Sequence, residues 1–241
     1  MRFKFTPLSK NFRRSGVFLS LLGITVAFSS CVKNNDSYQA PQQVAALAIT
    51  NASSNSTSLD FYLDNTSTRV NSNPLLYGQK IDYVRAYPGQ RTGIVTNSNS
   101  SSVVYTNKFT LVAGDYHSLY IVDKGDSLNF LLVKDQFTTP PTHKAMVRFA
   151  NLSPDSIAYS LELVGDTTAF TGKTFKTLTS FKPITPSSTY TINLRNTATN
   201  TIVATLTNVL LVDQTFYTIW AKGLANTTVA AQKTAIQVSQ H

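Results

Sequence analysis

The chemistry open to this 241-residue chain rests on three histidines, one cysteine and twelve carboxylates. The histidines, His117, His143 and His241, form no His-x-His or His-x-x-x-His pair, and there is no second cysteine. A zinc site would lack its ligands. The many serines allow a Ser-His-acid triad on paper, but no Gly-x-Ser-x-Gly elbow presents one as a nucleophile. Glycoside hydrolysis needs two facing carboxylates. The single Glu, Glu162, lies on an alternating segment with no second acid nominated beside it. Asp123-Lys124-Gly125-Asp126 lacks EF-hand spacing and reads as a hairpin turn, where Asp and Gly are favoured. The expectation is a chain with no catalytic residue, no metal and no cofactor, hence not an enzyme. The alternative is a small extracytoplasmic enzyme or polysaccharide-uptake accessory whose site is assembled from loops.

Cys31 has its own chemistry. Residues 1–30 hold Arg2, Lys4, Lys10, Arg13 and Arg14 and no acid, then an apolar run from Val17 to Phe28. That order is the pattern of a secretion signal. Twelve residues of helix span about 18 Å, too short for a hydrocarbon core of about 30 Å. Phe28-Ser29-Ser30-Cys31 resembles a bacterial lipobox, with Phe28 where Leu is usual. The resemblance implies cleavage before Cys31, a diacylglycerol thioether on its sulfur and an acyl chain on its freed amine. Each buried methylene then adds ~0.8 kcal/mol of membrane anchoring. An uncleaved anchor and ordinary cleavage leaving a free thiol are the alternatives. Residues 31–43 read as a polar, lipidated tether.

Without residues 1–30 the chain carries sixteen basic against twelve acidic residues. They are scattered singly, so a nucleic-acid partner has no basic patch to bind.

Ser, Thr and Asn total 75, charged residues are 14%, and aromatic residues are plentiful. With Val, Ile, Thr, Tyr and Phe common and Glu and Met scarce, sheet is favoured. Short runs alternate with period two: Leu59, Phe61, Leu63; Tyr159, Leu161, Leu163; Tyr190, Ile192, Leu194. Turn signals separate them, as at Asn71-Ser72-Asn73-Pro74 and Pro88-Gly89. The pattern recurs after about 100 residues. Leu47 to Ser53 lies against Val147 to Ser153, and Tyr116 to Tyr120 against Phe216 to Trp220. A period this long predicts tandem domains. The expected fold is all-β: two tandem immunoglobulin-like or transthyretin-like β-sandwich domains of six or seven strands. They cover 44–139 and 143–241, joined at Pro140-Pro141, and each is expected to bury its own core.

The second copy carries a family resemblance. Ala145-Met146-Val147-Arg148-Phe149-Ala150-Asn151-Leu152-Ser153-Pro154-Asp155 resembles the opening strand and turn of the domain of unknown function DUF4397. Ser188 to Leu194 and Phe216 to Gly223 resemble its later strands. The resemblance is best over 144–238; in the first copy Ala48 replaces the Arg. It implies an extracytoplasmic β-sandwich, common in lipoproteins of Bacteroidota and often in tandem, with no established catalytic residues. Asp126-Ser127-Leu128, Asp155-Ser156-Ile157 and Asp166-Thr167-Thr168 resemble the O-glycosylation site of Bacteroidota. They nominate Ser127, Ser156 and Thr167 at turns.

Ligand-binding residues are harder to nominate. Exposed aromatics stack on sugar faces. Tyr62 and Tyr77 are expected to be exposed; Tyr83, Tyr87 and Trp220 are expected between the sheets. His117 aligns with Tyr217 and is expected to be structural. Arg148 alternates with Val147 and Phe149, so it points to the opposite face. It is expected to pair with Glu162 on an exposed sheet face; a ligand contact is the alternative. The function expected is a lipid-anchored envelope protein of the outer membrane, on either of its faces. Its role would be binding or adhesion-type, with a polysaccharide or protein partner.

Overall fold

The chain divides into two units, residues 1–42 and 43–241. The computed structural model describes residues 43–241 except 55, 57, 124–126 and 156. The expected signal segment, Cys31 and the expected tether to residue 42 therefore lie outside the described residues, as do Ser156 and residues 124–126.

Among the described residues every regular element is a strand, apart from one 3-10 turn at Ala230–Gln232. The first lobe has seven: β1 (Ala45–Asn51), β2 (Leu59–Leu63), β3 (Lys80–Ala86), β4 (Gly89–Asn97), β5 (Val103–Leu111), β6 (Tyr116–Val122) and β7 (Asn129–Asp135). The second has nine: β8 (Ala145–Asn151), β9 (Tyr159–Leu163), β10 (Phe170–Lys173), β11 (Thr177–Leu178), β12 (Lys182–Ile184), β13 (Ser187–Asn196), β14 (Ile202–Leu211), β15 (Phe216–Lys222) and β16 (Ala235–Gln240). One extra strand arises because the edge beside β8 is split into two short pieces, β11 and β12, and the other is β10, which extends the facing sheet beyond β9.

The strand pairing of one lobe is repeated in the other. In the first, sheet order β3-β1-β6-β7 faces β2-β4-β5; in the second, β11/β12-β8-β15-β16 faces β10-β9-β13-β14. β1 runs parallel to β6 with Leu47 opposite His117, and β8 runs parallel to β15 with Val147 opposite Tyr217. Tyr159, Leu161 and Leu163, and Tyr190, Ile192 and Leu194, are buried, as their alternation predicts.

Three apolar clusters lie between the four sheets. One fills the first lobe around Leu47, Phe61, Val95 and Leu119. A second fills the other lobe around Phe149, Tyr159, Ile192 and Ile219. The third joins the lobes: Ala52, Tyr120 and Val122 pack with Ala150, Leu152 and Trp220. This third cluster uses the faces of β6, β8 and β15 that point away from each sandwich core. β8 is consequently buried at all seven positions. Parallel strands are usually covered on both faces, and here the second cover is the other lobe.

Candidate functional site

Arg148 lies at the centre of this junction. It is 2% exposed, which corrects the expectation of an exposed sheet face. Glu162 is not its partner: that carboxylate pairs with Arg195 on β13, 2.8 Å away, and accepts from the Asn193 amide at 3.2 Å. Those two bonds hold the Glu162 carboxyl below its usual range. Register explains the difference. Asn193 lies directly opposite Glu162 and Arg195 two residues along the same strand, within reach of long side chains. Arg148 projects from the other side of its sheet, toward the first lobe.

There Arg148 enters a closed polar ring. Its Nη2 lies 2.6 Å from Oδ1 of Asp135, at the end of β7. Its Nε donates to the Thr218 hydroxyl on β15 at 2.7 Å, and Nη2 also donates to the Tyr120 hydroxyl at 3.3 Å. Thr218 is 2.7 Å from His241 Nε2, and His241 Nδ1 is 2.8 Å from the Tyr83 hydroxyl. Tyr83 and Ser118 both donate to Asp135 Oδ2 at 2.7 Å, which closes the circuit. One proton arrangement accommodates both hydroxyls and the imidazole. Thr218 accepts from Arg148 and donates to Nε2, while His241 donates from Nδ1 to Tyr83, which donates to Asp135. This tautomer is assigned from the network. The Phe181 ring lies 4.6 Å from the guanidinium carbon, a cation–π contact.

Around the ring lie Phe137, Phe181, Phe216 and Tyr116: Tyr116–Phe137, Phe137–Phe216 and Phe181–Phe216 meet edge to face at centroid distances of 4.8–5.4 Å, and Phe137–Phe181 is tilted at 5.9 Å. Phe137 belongs to the segment between the lobes that includes Pro140-Pro141, so the connection is itself packed into the junction.

His241 is neutral here. Burial, and then the positive charges of Arg148 and Lys80, push its pKa down to about 3. The unfolded chain titrates the same imidazole near 6.5. Between pH 6.5 and 3 the unfolded state therefore holds a proton that the native state refuses. Stability rises with pH across that window and is lost on acidification, at ~1.4 kcal/mol per pH unit for one group. Burial lowers His117 as well, so a comparison isolates His241. Urea midpoints at pH 7 and 4.5 should fall more for the wild type than for His241→Gln. Equal falls would contradict the placement of His241.

The other nominated residues are dispersed. Tyr77 is half-buried, with the Lys222 ammonium 4.8 Å from its ring centre. Burial raises its hydroxyl well above the usual phenol range, so it offers no open face. Tyr62 is also half-buried. Tyr87 is 52% exposed, not between sheets, because it follows the end of β3 at the Pro88-Gly89 turn. Trp220 is fully buried, but in the cluster between lobes rather than within a sandwich; its indole donates to Ser239 at 3.1 Å. Tyr83 is half-buried in the ring. His117 is buried, and its register partner across β1 corresponds to that of Tyr217 in the second lobe. Ser127 and Thr167 are exposed.

Sequence reasoning missed Asp135, Thr218, Ser118, Tyr120 and the role of His241. A signal was present in the repeat. Ser118 and Thr218 occupy equivalent positions on β6 and β15. Asp135 pairs with Tyr116, and His241 bonds through its backbone to Phe216, the equivalent position. The two lobes thus bring an acid and an imidazole from matching positions to one tyrosine.

Beside the ring a cleft of about 340 Å³ opens between β7 and the β11–β12 edge. Val133, Met146, Leu178 and Phe181 form apolar walls; Gln136, Thr138, Thr179 and Ser180 supply amide and hydroxyl groups; Arg148 and Lys134 supply charge. No nucleophile paired with a base lines it.

Residues 45–162 match the family model of the domain of unknown function DUF4397. The match runs from β1 into β9. It takes in the whole first lobe and overlaps the resemblance read over 144–238 only through β8 and the start of β9. Tyr83, Ser118, Asp135 and Arg148 all fall inside it. No curated protein matches the chain in sequence. Among solved structures, the family 26 carbohydrate-binding module of Eubacterium rectale Amy13K, in complex with maltoheptaose, aligns at 10% identity over 81% of this chain and 97% of its own, with a TM-score of 0.26. The fimbrial anchor protein Mfa2 of Porphyromonas gingivalis aligns at 9% identity over 82% and 97%, with a TM-score of 0.25. A streptococcal virulence factor that binds α-glucan aligns at 11% identity over 71% and 92%, with a TM-score of 0.26. Scores at this level establish no common fold.

Proposed function

We propose that the chain is a non-catalytic, binding or adhesion-type protein of the cell envelope, anchored by acylated Cys31 in the outer membrane. Two tandem DUF4397-type sandwiches, 44–139 and 143–241, form its binding body. The observation that carries this reading is the contrast at the junction. The polar ring spends its members on one another, while the cleft beside it offers apolar walls with amide and hydroxyl groups. Such a lining supports recognition and lacks the nucleophile, base and acid constellation of a reacting site.

The partner is a polysaccharide. In native gels cast with a panel of neutral and acidic polysaccharides, the chain should be retarded by at least one of them and release no reducing ends. Release of reducing ends would overturn the non-catalytic reading. Labelling with a palmitate analogue should tag the wild type and not Cys31→Ser; equal labelling would overturn the anchor.

A protein partner has separate support. β14 is a sheet edge of ten residues with no charged side chain, on which Ile202, Val203 and Leu210 are 40–57% exposed. Proteins ordinarily blunt such edges with charge, and strand addition is one way to cover them.

A further inference from the structure

Arg148 makes more hydrogen bonds available than the ring uses. A guanidinium carries five N–H donors in a fixed fork. Nε is given to Thr218, and Nη2 to Asp135 and Tyr120. Nη1 has no partner among the described residues, although the side chain is 3% exposed and lines the cleft. The fork is held still on its other sides by Asp135 and by the Phe181 ring beneath it. A charged donor held in a fixed orientation at the wall of a cleft is preorganised for an acceptor that enters it.

We infer that the cleft is a site for a carboxylate-bearing sugar, held by Nη1 of Arg148. The inference rests on the polysaccharide reading above and names the chemical class. A charge-assisted bond to a carboxylate is shorter and stronger than one to a neutral hydroxyl. Thr179 adds a second donor beside it. Its hydroxyl oxygen accepts from the Phe149 N–H at 3.0 Å, which leaves its own hydrogen for the ligand. Ser180, Gln136 and Thr138 are exposed at the rim, suited to the ring hydroxyls of a pyranose. Lys134 adds positive charge at the mouth, its ammonium already 2.7 Å from Asp115. The volume, about 340 Å³, lies at the small end of ligand sites and favours a short sugar segment.

The test is calorimetric titration of the full chain with trigalacturonate, with the carboxyl-reduced trisaccharide and with a Glu-rich hexapeptide. Trigalacturonate should bind at least tenfold more tightly than the reduced sugar, and added salt should narrow the gap. Substitution of Arg148 would damage the ring, so the cleft is blocked from its rim. Ser180→Tyr should remove the preference for the acid while leaving the melting temperature unchanged. Equal affinity for the two sugars, an unchanged preference in Ser180→Tyr, or tighter binding of the peptide would each overturn the inference. Retention by neutral polysaccharides alone would overturn it and leave the binding reading standing. Retention by none would overturn both.

Discussion

Asp135→Ala should cost about 3–5 kcal/mol of stability, because it leaves the Arg148 cation buried without its counter-charge. For a body of this size that corresponds to a fall of roughly 6–20 °C in melting temperature. The same substitution strands the hydroxyls of Tyr83 and Ser118, which both donate to Asp135. The mechanism makes a second prediction for the pair. Replacing both ends together, as Asp135→Leu with Arg148→Met, should recover most of the loss, since an apolar pair of similar size often substitutes for a buried ion pair. Equilibrium urea unfolding of the two single variants and the double variant measures the cycle. A change below about 1 kcal/mol in Asp135→Ala would mean that water reaches the pair.

Trp220→Ala should cost a comparable ~3–5 kcal/mol by opening a cavity in the cluster between the lobes. Trp220 has no exposed surface and contributes to that cluster rather than to either sandwich core. The loss should therefore appear without change in the pairing within either lobe. Trp220→Phe, which keeps a ring but no indole donor for Ser239, should lose less. Comparable losses in both variants would show that the hydrogen bond, not the packing, is what the junction uses.

These effects are much larger than the sequence suggests, and the reason is specific. Period-two alternation tells which way a side chain points. It gave Tyr159, Leu161 and Leu163, and Tyr190, Ile192 and Leu194, as one buried face each, and they are buried. It also put Arg148 on the face opposite Val147 and Phe149, correctly. What alternation does not contain is the identity of whatever covers that opposite face. A strand covered by solvent and a strand covered by a second sheet can share one pattern when the second cover is partly polar. Arg148 reads as solvent-facing for that reason, and it is buried together with Thr218 and Ser118. The partners also lie far apart in sequence: Tyr83 and His241 are separated by 158 positions. The Glu162–Arg195 pair failed to be legible on a smaller scale, because it depends on strand register across β9 and β13. Tyr87 differs because a turn, rather than the strand, sets its direction.

The repeat held more than was taken from it. Its aligned positions place Ser118 with Thr218, and the ends of β7 and β16 place Asp135 with the residue that follows Gln240. Positions that match in the repeat differ in chemistry at the ring: Asp135 stands against His241, and Ala48 against Arg148.

The two lobes should unfold as one cooperative body, joined through the polar ring and the Trp220 cluster. Trp220 is the sole tryptophan, so its fluorescence reports the junction, while the far-ultraviolet signal reports all the sheets. Both should be followed on the same samples across a urea series. The account predicts coincident transitions with one midpoint, the signature of a single unfolding unit. A red shift of Trp220 at lower urea than the loss of sheet signal would mean that the lobes part before they unfold, and would contradict it.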